Sequence, residues 1–162
     1  MSQADYFLKI DGITGECDDH KHAKEMQLQS WSWGETNSGS SGLGGGAGSG
    51  KVSMQDIHFV IDYSLASPDL FISCATGKHI PLATLTCRKA GGEQHEYLIV
   101  KFTDILISSY QSGGSQHGGS LPTEQVSFNF TKVEIGYAPQ KKDGQLDAMK
   151  WKGYDVKKNQ KV

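Results

Sequence analysis

The chain has 162 residues, enough for one domain with its own core, and a formal net charge of −2. This charge gives no electrostatic basis for nucleic acid or an anionic membrane as the main partner. Three cysteines leave at least one thiol unpaired, which argues against a disulfide-stapled secreted scaffold. Because no segment resembles a Sec-type signal peptide or the ~20 apolar residues of a membrane helix, we expect folding in the cytosol and no membrane insertion.

Alternating hydrophobicity predicts β-strands along most of the chain. The predicted strands cover residues 6–10, 25–33, 52–63, 83–88, 97–107, 125–137 and 151–156. In the strands at 25–33 and 125–137 the apolar residues change parity, which predicts a β-bulge in each or, in the first, burial of both faces. The fold class is therefore mainly β: a single domain over 1–162 that forms a two-sheet antiparallel β-barrel or sandwich.

One segment departs from the β pattern and predicts a short α-helix over 68–76. Ser67 is the expected N-cap, Pro68 occupies the first helical position and Gly77 closes the helix. Helical spacing predicts that three residues face the sheets, namely Leu70, Phe71 and Cys74.

Trp31 and Trp33 are one residue apart and therefore share one face of a strand. Together with Trp151, they are either core residues, which burial statistics favour, or anchors of an interface. The glycine- and serine-rich stretch that follows has few side chains with which to build a core. We therefore predict an extended loop over 36–51 that reaches outward.

The stretch from Gly45 to Lys51 meets the spacing of a phosphate-binding loop, but two observations argue against that function. Val52 lacks the hydroxyl that would coordinate magnesium, and the sequence after it predicts a strand where such loops require a helix. Cys17, His20 and His22 match no established zinc spacing. No zincin motif or nucleophile elbow occurs, so we expect no catalytic residue, cofactor or metal.

Two polar regions remain open to more than one interpretation. Gln125, Ser127, Asn129 and Thr131 form a row that either faces water or lines a wet channel in a ring of subunits. The basic segment 141–162 is expected to be a solvated tail, and contact with an acidic surface is the alternative.

Several short motifs, in this order and spacing, resemble the haemolysin-coregulated protein (Hcp) family, which forms the inner tube of the bacterial type VI secretion system. They extend over nearly the whole chain, from Phe7 to about Lys158, and comprise Trp31–Gly34, Gly50–Val52, Gln55–Asp56, Ser73–Cys74, Gly77–His79, Arg88–Glu93, Glu96–Ile99 and Tyr137–Lys141.

The resemblance implies a β-barrel with a flanking helix, assembled as a homohexameric ring. Such rings stack into tubes that a contractile sheath propels from the bacterial cytoplasm, with a VgrG-type spike protein at the tip and small effector toxins in the lumen. Export then needs no signal peptide. The alternative is a soluble β-module that binds a ligand or protein without polymerising.

The resemblance also implies roles for particular residues. The extended loop is expected to contact an adjacent subunit or the next ring, through Ser38, Gly39, Leu43, Gly44, Gly45, Gly46 and Lys51. Ser32 is expected to face the lumen and to contact effectors. The segment Arg88–Glu93 is a weaker candidate for packing between rings.

Overall fold

The computed structural model describes residues 4–39, 51–89 and 93–162. The elements in chain order are β1 (Ala4–Ile10), β2 (Met26–Gln27), β3 (Ser30–Ser32), β4 (Glu35–Asn37), β5 (Val52–Met54), β6 (Ile57–Asp62), α1 (Ser67–Thr76), β7 (His79–Lys89), β8 (Glu96–Gly113), β9 (Thr123–Asn129), β10 (Lys132–Tyr137), β11 (Lys150–Asp155) and β12 (Gln160–Lys161). The prediction of a mainly β protein with one short helix is confirmed.

Ten of the strands form one antiparallel sheet that branches at β8 and folds over on itself as a sandwich. One layer has the strand order β12-β11-β10-β8-β7-β1-β2, and the other continues from β8 through β9 and β6 to β3. Strands β4 and β5 form a separate two-stranded sheet, which we call the ribbon. Of the two predicted architectures, the described strands form the sandwich and do not close into a barrel.

The long strand β8 joins the two layers at Asp104. Residues up to Thr103 pair with β10, and residues from Leu106 onward pair with β9. Asp104 has a left-handed backbone, with φ of 52°, and Pro81 on the neighbouring strand β7 has no N–H to offer it. Aspartate tolerates this conformation better than most residues, so β8 can bend and serve both layers.

The two parity changes in the sequence mark crossings between layers, and the predicted bulges are wrong. The strand predicted at 25–33 is divided between β2, which pairs with β1, and β3, which pairs with β6. At the crossing, the backbone N–H of Leu28 donates to Tyr6 and that of Gln29 donates to Val60. The strand predicted at 125–137 is likewise divided between β9 and β10. A change of layer reverses which parity faces the core.

The core lies between the layers and contains the residues that alternation predicted. The buried residues include Ile57, Phe59, Ile61, Ala83, Leu85, Cys87, Val126, Phe128 and Phe130. Phe102 of β8 lies at the centre, with its ring 5.2 Å from that of Phe128 and 5.0 Å from that of Phe130. The ring of Phe102 therefore packs β8 against Phe128 of β9 and against Phe130, which directly follows β9.

The helix has the predicted extent but two of its residues behave differently. Its N-cap is Ala66, without a side-chain cap, because the hydroxyl of Ser67 donates instead to the buried carboxylate of Glu124. Leu70 is buried and Cys74 half-buried as expected, but Phe71 is 57% exposed and packs its ring against Tyr110. The C-cap Gly77 is left-handed, as predicted.

The basic segment 141–162 contributes two strands to the sheet, β11 and β12, so the prediction of a solvated tail is wrong in that respect. Strand β11 pairs with β10 along its whole length, and β12 pairs with the end of β11. The lysines in this segment are nevertheless exposed, as their hydration requires.

Candidate functional site

The ribbon forms the base of the predicted extended loop. Glu35 pairs with Met54 and Asn37 with Val52, and the hydroxyl of Ser38 donates to the carbonyl of Lys51 at 3.4 Å. Ser38, Gly39 and Lys51 are exposed, as contact residues must be. The other four predicted contact residues, Leu43, Gly44, Gly45 and Gly46, lie outside the described residues.

Within the described part of the chain, β4 and β5 pair only with each other. Every residue of β4 is exposed, and the half-buried Met54 packs against the core at the base of the ribbon. Because a two-stranded sheet is marginally stable alone in water, a partner surface would stabilise this segment. Strand β5 also begins at Val52, where a phosphate-binding loop would need the start of a helix.

Ser32 lies on a polar surface that crosses four strands of one layer. It pairs with His58 of β6, which pairs with Ser127 of β9 and, beyond it, Ser109 of β8. A parallel row starts at Ser30. We call this surface the polar face, and it consists of Ser30, Ser32, His58, Ser109, Gln111, Gln125 and Ser127, with Val60 among them.

A cluster of hydroxyls lies at the β8–β9 side of the polar face, and sequence reasoning missed it. The hydroxyl of Ser108 donates to Asp56 at 2.5 Å and lies 2.8 Å from the hydroxyl of Ser127. Ser109 contacts the same Ser127 hydroxyl at 2.5 Å, so Ser127 is buried although it belongs to the outer row. The signal was the serine pair at 108–109, which directly follows an apolar run. His58 makes no hydrogen bond among the described residues, and the only carboxylate that these bonds bring to the described hydroxyls is that of Asp56.

The three tryptophans differ in their exposure and packing. Trp31 and Trp33 are half-buried and pack against the core, Trp31 edge-on to Tyr6 at 6.2 Å and Trp33 edge-on to Phe102 at 6.0 Å. Trp151 is 39% exposed on the outer surface of β11. It is therefore available for contact with another molecule.

Trp151 lies against the backbone of Gly136, its partner on β10. A Cβ atom at Gly136 would come within 2.6 Å of the indole ring, so the glycine makes room for it. The ammonium group of Lys101 lies over the same indole at 5.1 Å. The arrangement fixes an aromatic side chain flat on the sheet surface.

The residues considered as metal ligands differ in their exposure. His22 is buried among protein groups, whereas His20 is exposed and Cys17 is half-buried. Across residues 4–39, 51–89 and 93–162, no group of three or more His, Cys, Asp or Glu side chains is placed to hold a metal ion. All three cysteines are free thiols, and burial raises the pKa of Cys87 to about 11.

Arg88 is the first residue of the segment considered for packing between rings, and its side chain contacts residues of its own chain. It is 2% exposed, and its Nη2 atom donates to Asp5 at 3.1 Å and to Asp19 at 2.7 Å. The hydrogen bond from Arg88 holds the pKa of Asp19 well below its usual range. The Arg88 side chain therefore stabilises the subunit itself.

Comparison with known proteins identifies a family that matches this chain. The family described as "Type VI secretion system effector, Hcp" matches residues 7–137. Protein hcp1 of Pseudomonas aeruginosa is 49% identical over 157 residues, which cover 96% of both chains. Among solved structures, Hcp1 of Salmonella typhimurium is 36% identical, with a TM-score of 0.80 and complete coverage of both chains. A structure described as a type six secretion system protein has a TM-score of 0.93 at 28% identity and covers 99% of this chain and 100% of its own.

The fold, its exposed ribbon and these similarities define a β-sandwich protein of type VI secretion. The chain belongs to the Hcp family. The resemblance noted in the sequence is thus confirmed. No helix in the described part of the chain is both long and apolar enough to cross a membrane.

Proposed function

We propose that the protein is a non-catalytic ring subunit of a type VI secretion tube. Six copies form a ring, rings stack into a tube, and the tube carries effector proteins in its lumen. A contractile sheath then expels the tube, tipped by its spike protein, from the cytoplasm. Membership of the Hcp family supports this proposal. The structural observation that carries it is the ribbon, which stands apart from the sandwich and has no partner strand within the described chain.

Apolar side chains on the outer surface support the same assembly. Large hydrophobic residues that are exposed in the single chain include Leu65, Phe71, Ile72, Tyr137 and Trp151. Exposed apolar side chains of this size are typical of surfaces that become buried on association, and tryptophan and tyrosine are frequent anchors there. A ring places such a surface of each subunit against its neighbour.

Native mass spectrometry and electron microscopy of the purified protein test the ring directly. We expect a species of six subunits and ring-shaped particles with six-fold symmetry. A protein that stays monomeric at the highest attainable concentration would refute the proposal and would favour a non-polymerising binding module.

The extended loop can be tested separately from the ring. Deletion of Gly39–Gly48 should leave the β-sheet circular dichroism spectrum intact but prevent the stacking of rings or secretion, because it removes most of the predicted contact loop. A matched control is deletion of His117–Gly119, in the exposed connection between β8 and β9, which should change neither. Normal stacking and secretion after the first deletion would exclude this role for the loop.

We propose that the polar face lines the lumen and that Ser32 contacts the cargo. Hydroxyl and amide groups can donate to and accept from the backbone and side chains of many proteins, which suits a carrier. Ser32→Gln should weaken binding of a cognate effector by about tenfold, a value typical of a disturbed interface contact, without affecting ring formation. Ser115→Gln, at an exposed serine outside the polar face, is the control. Equal effector binding by both variants and the unmodified ring would contradict the assignment.

A further inference from the structure

The aromatic ring of Phe7 in β1 lies between two nitrogen-rich side chains. The imidazole of His22 stacks on it at 4.2 Å between ring centres and is nearly parallel, at 5°. The guanidinium carbon of Arg88 lies 4.6 Å from the centre of the same ring. Two groups at these distances cannot share one face, so they cover opposite faces. The stack joins β1, the connection between β1 and β2, and β7.

Both nitrogen atoms of His22 contact carboxylates. Nδ1 lies 2.5 Å from Glu25 in the same connection, and Nε2 lies 2.7 Å from Glu96 at the start of β8. A neutral imidazole has only one N–H, and a carboxylate only accepts, so a neutral ring would place a lone pair against a carboxylate oxygen. The side chain of His22 is 8% exposed, which leaves little room for water to compensate. Both contacts become hydrogen bonds when the ring carries two protons.

The charges around the stack favour the same protonation state. Four carboxylates face it: Glu25 and Glu96 on His22, and Asp5 and Asp19 on Arg88. Without a proton on His22, Arg88 would be the only cation among these six groups. An aromatic face also attracts cations through its quadrupole, and each face of Phe7 would then meet one.

We infer that His22 is an imidazolium that fastens the connection 11–25 to the start of β8 through Glu25 and Glu96. We call His22 with these two carboxylates the clasp. The clasp is proton-dependent, because loss of one proton removes one of its hydrogen bonds and leaves both carboxylates against an uncharged ring. The connection is therefore held while both ring nitrogens carry protons and is loosened when one proton is lost.

Release of the connection 11–25 would expose to solvent a surface that is buried while the clasp is formed. Phe7 is 1% exposed and Thr86, its partner on β7, is 5% exposed, although both point away from the core between the layers. The connection is also held by the ion pair between Arg88 and Asp19, by the hydrogen bond from the Leu65 N–H to Glu16, and by backbone hydrogen bonds such as those from Gly15 to Lys24 and from Lys24 to Cys17. The clasp therefore acts with these contacts to cover the outer face of β1 and β7.

Two measurements on the full chain test the clasp. In long-range ¹⁵N–¹H NMR spectra at pH 6.5, we expect both ring nitrogens of His22 to be protonated. Hydrogen exchange of amides 15–25, corrected for the intrinsic effect of pH, should become at least tenfold faster as His22 loses its proton. Amides in the centre of β8 should show no such pH dependence.

Two variants distinguish the effect of His22 from that of another histidine in the same connection. His22→Gln should abolish the pH dependence and leave residues 15–25 in the faster-exchanging state at every pH. His20→Gln, in the same connection but exposed, should retain the behaviour of the unmodified protein. The NMR measurement needs no variant, so failure of His22→Gln to fold would not remove the test. A singly protonated His22 ring at pH 6.5, or exchange of residues 15–25 that is independent of pH, would overturn the inference.

Discussion

At the scale of single residues, the outer surface of the β10–β11 pair depends on the absence of a side chain at Gly136. The indole of Trp151 occupies the space where a Cβ would stand, and the sulfur of Met149 lies within 2.8 Å of the same point. Aromatic residues commonly cover a glycine on the neighbouring strand in this way. The glycine and the tryptophan therefore form one structural unit.

Gly136→Ala should destabilise the protein by about 1–3 kcal/mol, the usual cost of overpacking, and should displace Trp151 toward solvent. The free energy of unfolding in urea and acrylamide quenching of tryptophan fluorescence measure the two effects. Gly113→Ala is a matched control, because a Cβ atom there would meet no atom within 4 Å. Equal stability of the two variants would show that Trp151 accommodates the methyl group without loss.

Sequence reasoning identified residues whose role follows from their immediate neighbours. It placed Trp31 and Trp33 on one face and chose core as their more frequent environment, and the structure packs both against the core. It could not distinguish Trp151 from them, since exposure depends on which layer covers a strand. It also missed the contact between His22 and Glu96, because these residues are 74 positions apart and no local pattern joins them.

At the scale of elements, helix α1 shows where local rules suffice and where tertiary contacts override them. The C-terminal end follows the local rule: Gly77 is left-handed, and the N–H of Lys78 reaches back to the carbonyl of Ser73 at 3.2 Å. The N-terminal end does not, because Ser67 hydrogen-bonds with Glu124, which lies 57 positions away. A buried carboxylate gains more from that hydroxyl than the helix end would.

Gly77→Ala should reduce the free energy of unfolding by about 1 kcal/mol, because alanine resists the left-handed conformation. A Cβ at this position would meet no atom within 4 Å, so the cost is purely one of backbone conformation. Gly77→Asn should recover part of the loss, since asparagine adopts this conformation more readily. Thermal unfolding followed by circular dichroism compares them, and an asparagine variant less stable than the alanine variant would contradict this explanation.

In the strands, too, local pattern predicts some features and tertiary pairing decides others. Alternation identified the buried residues of β6, β7 and β9 correctly because each of these strands has one face toward the core. At 28–29 and 130–131 the sequence showed a parity change but not its cause. A bulge and a move to the other layer both reverse parity, and only the pairing of distant strands distinguishes them.

At the scale of the whole molecule, β8 makes the two layers a single cooperative unit. It pairs with β7 and β10 in one layer and with β9 in the other. Phe102, which is fully buried, packs between them against Phe128, Phe130 and Trp33. Loss of packing at this point should weaken both layers together.

Phe102→Ala should lower the free energy of unfolding by about 3–5 kcal/mol, as is usual for removal of a buried phenylalanine. Tryptophan fluorescence and far-ultraviolet circular dichroism should still give one coincident transition in urea, because the layers share β8. Leu121→Ala, at a residue that is 54% exposed, is the control and should cost less than about 1 kcal/mol. Two separate transitions in the Phe102 variant would show that the layers unfold independently.

The left-handed backbone of Asp104 limits which residues can replace it. Its side chain is nearly half exposed and lies 3.3 Å from His79 at the surface, so surface chemistry alone would accept many replacements. Its φ of 52° favours aspartate, asparagine and glycine over β-branched residues. A valine or isoleucine there would disfavour the left-handed conformation and so straighten β8 at the point where it passes from one layer to the other. We therefore expect few residue types to be accepted at this exposed position, as is usual at buried positions.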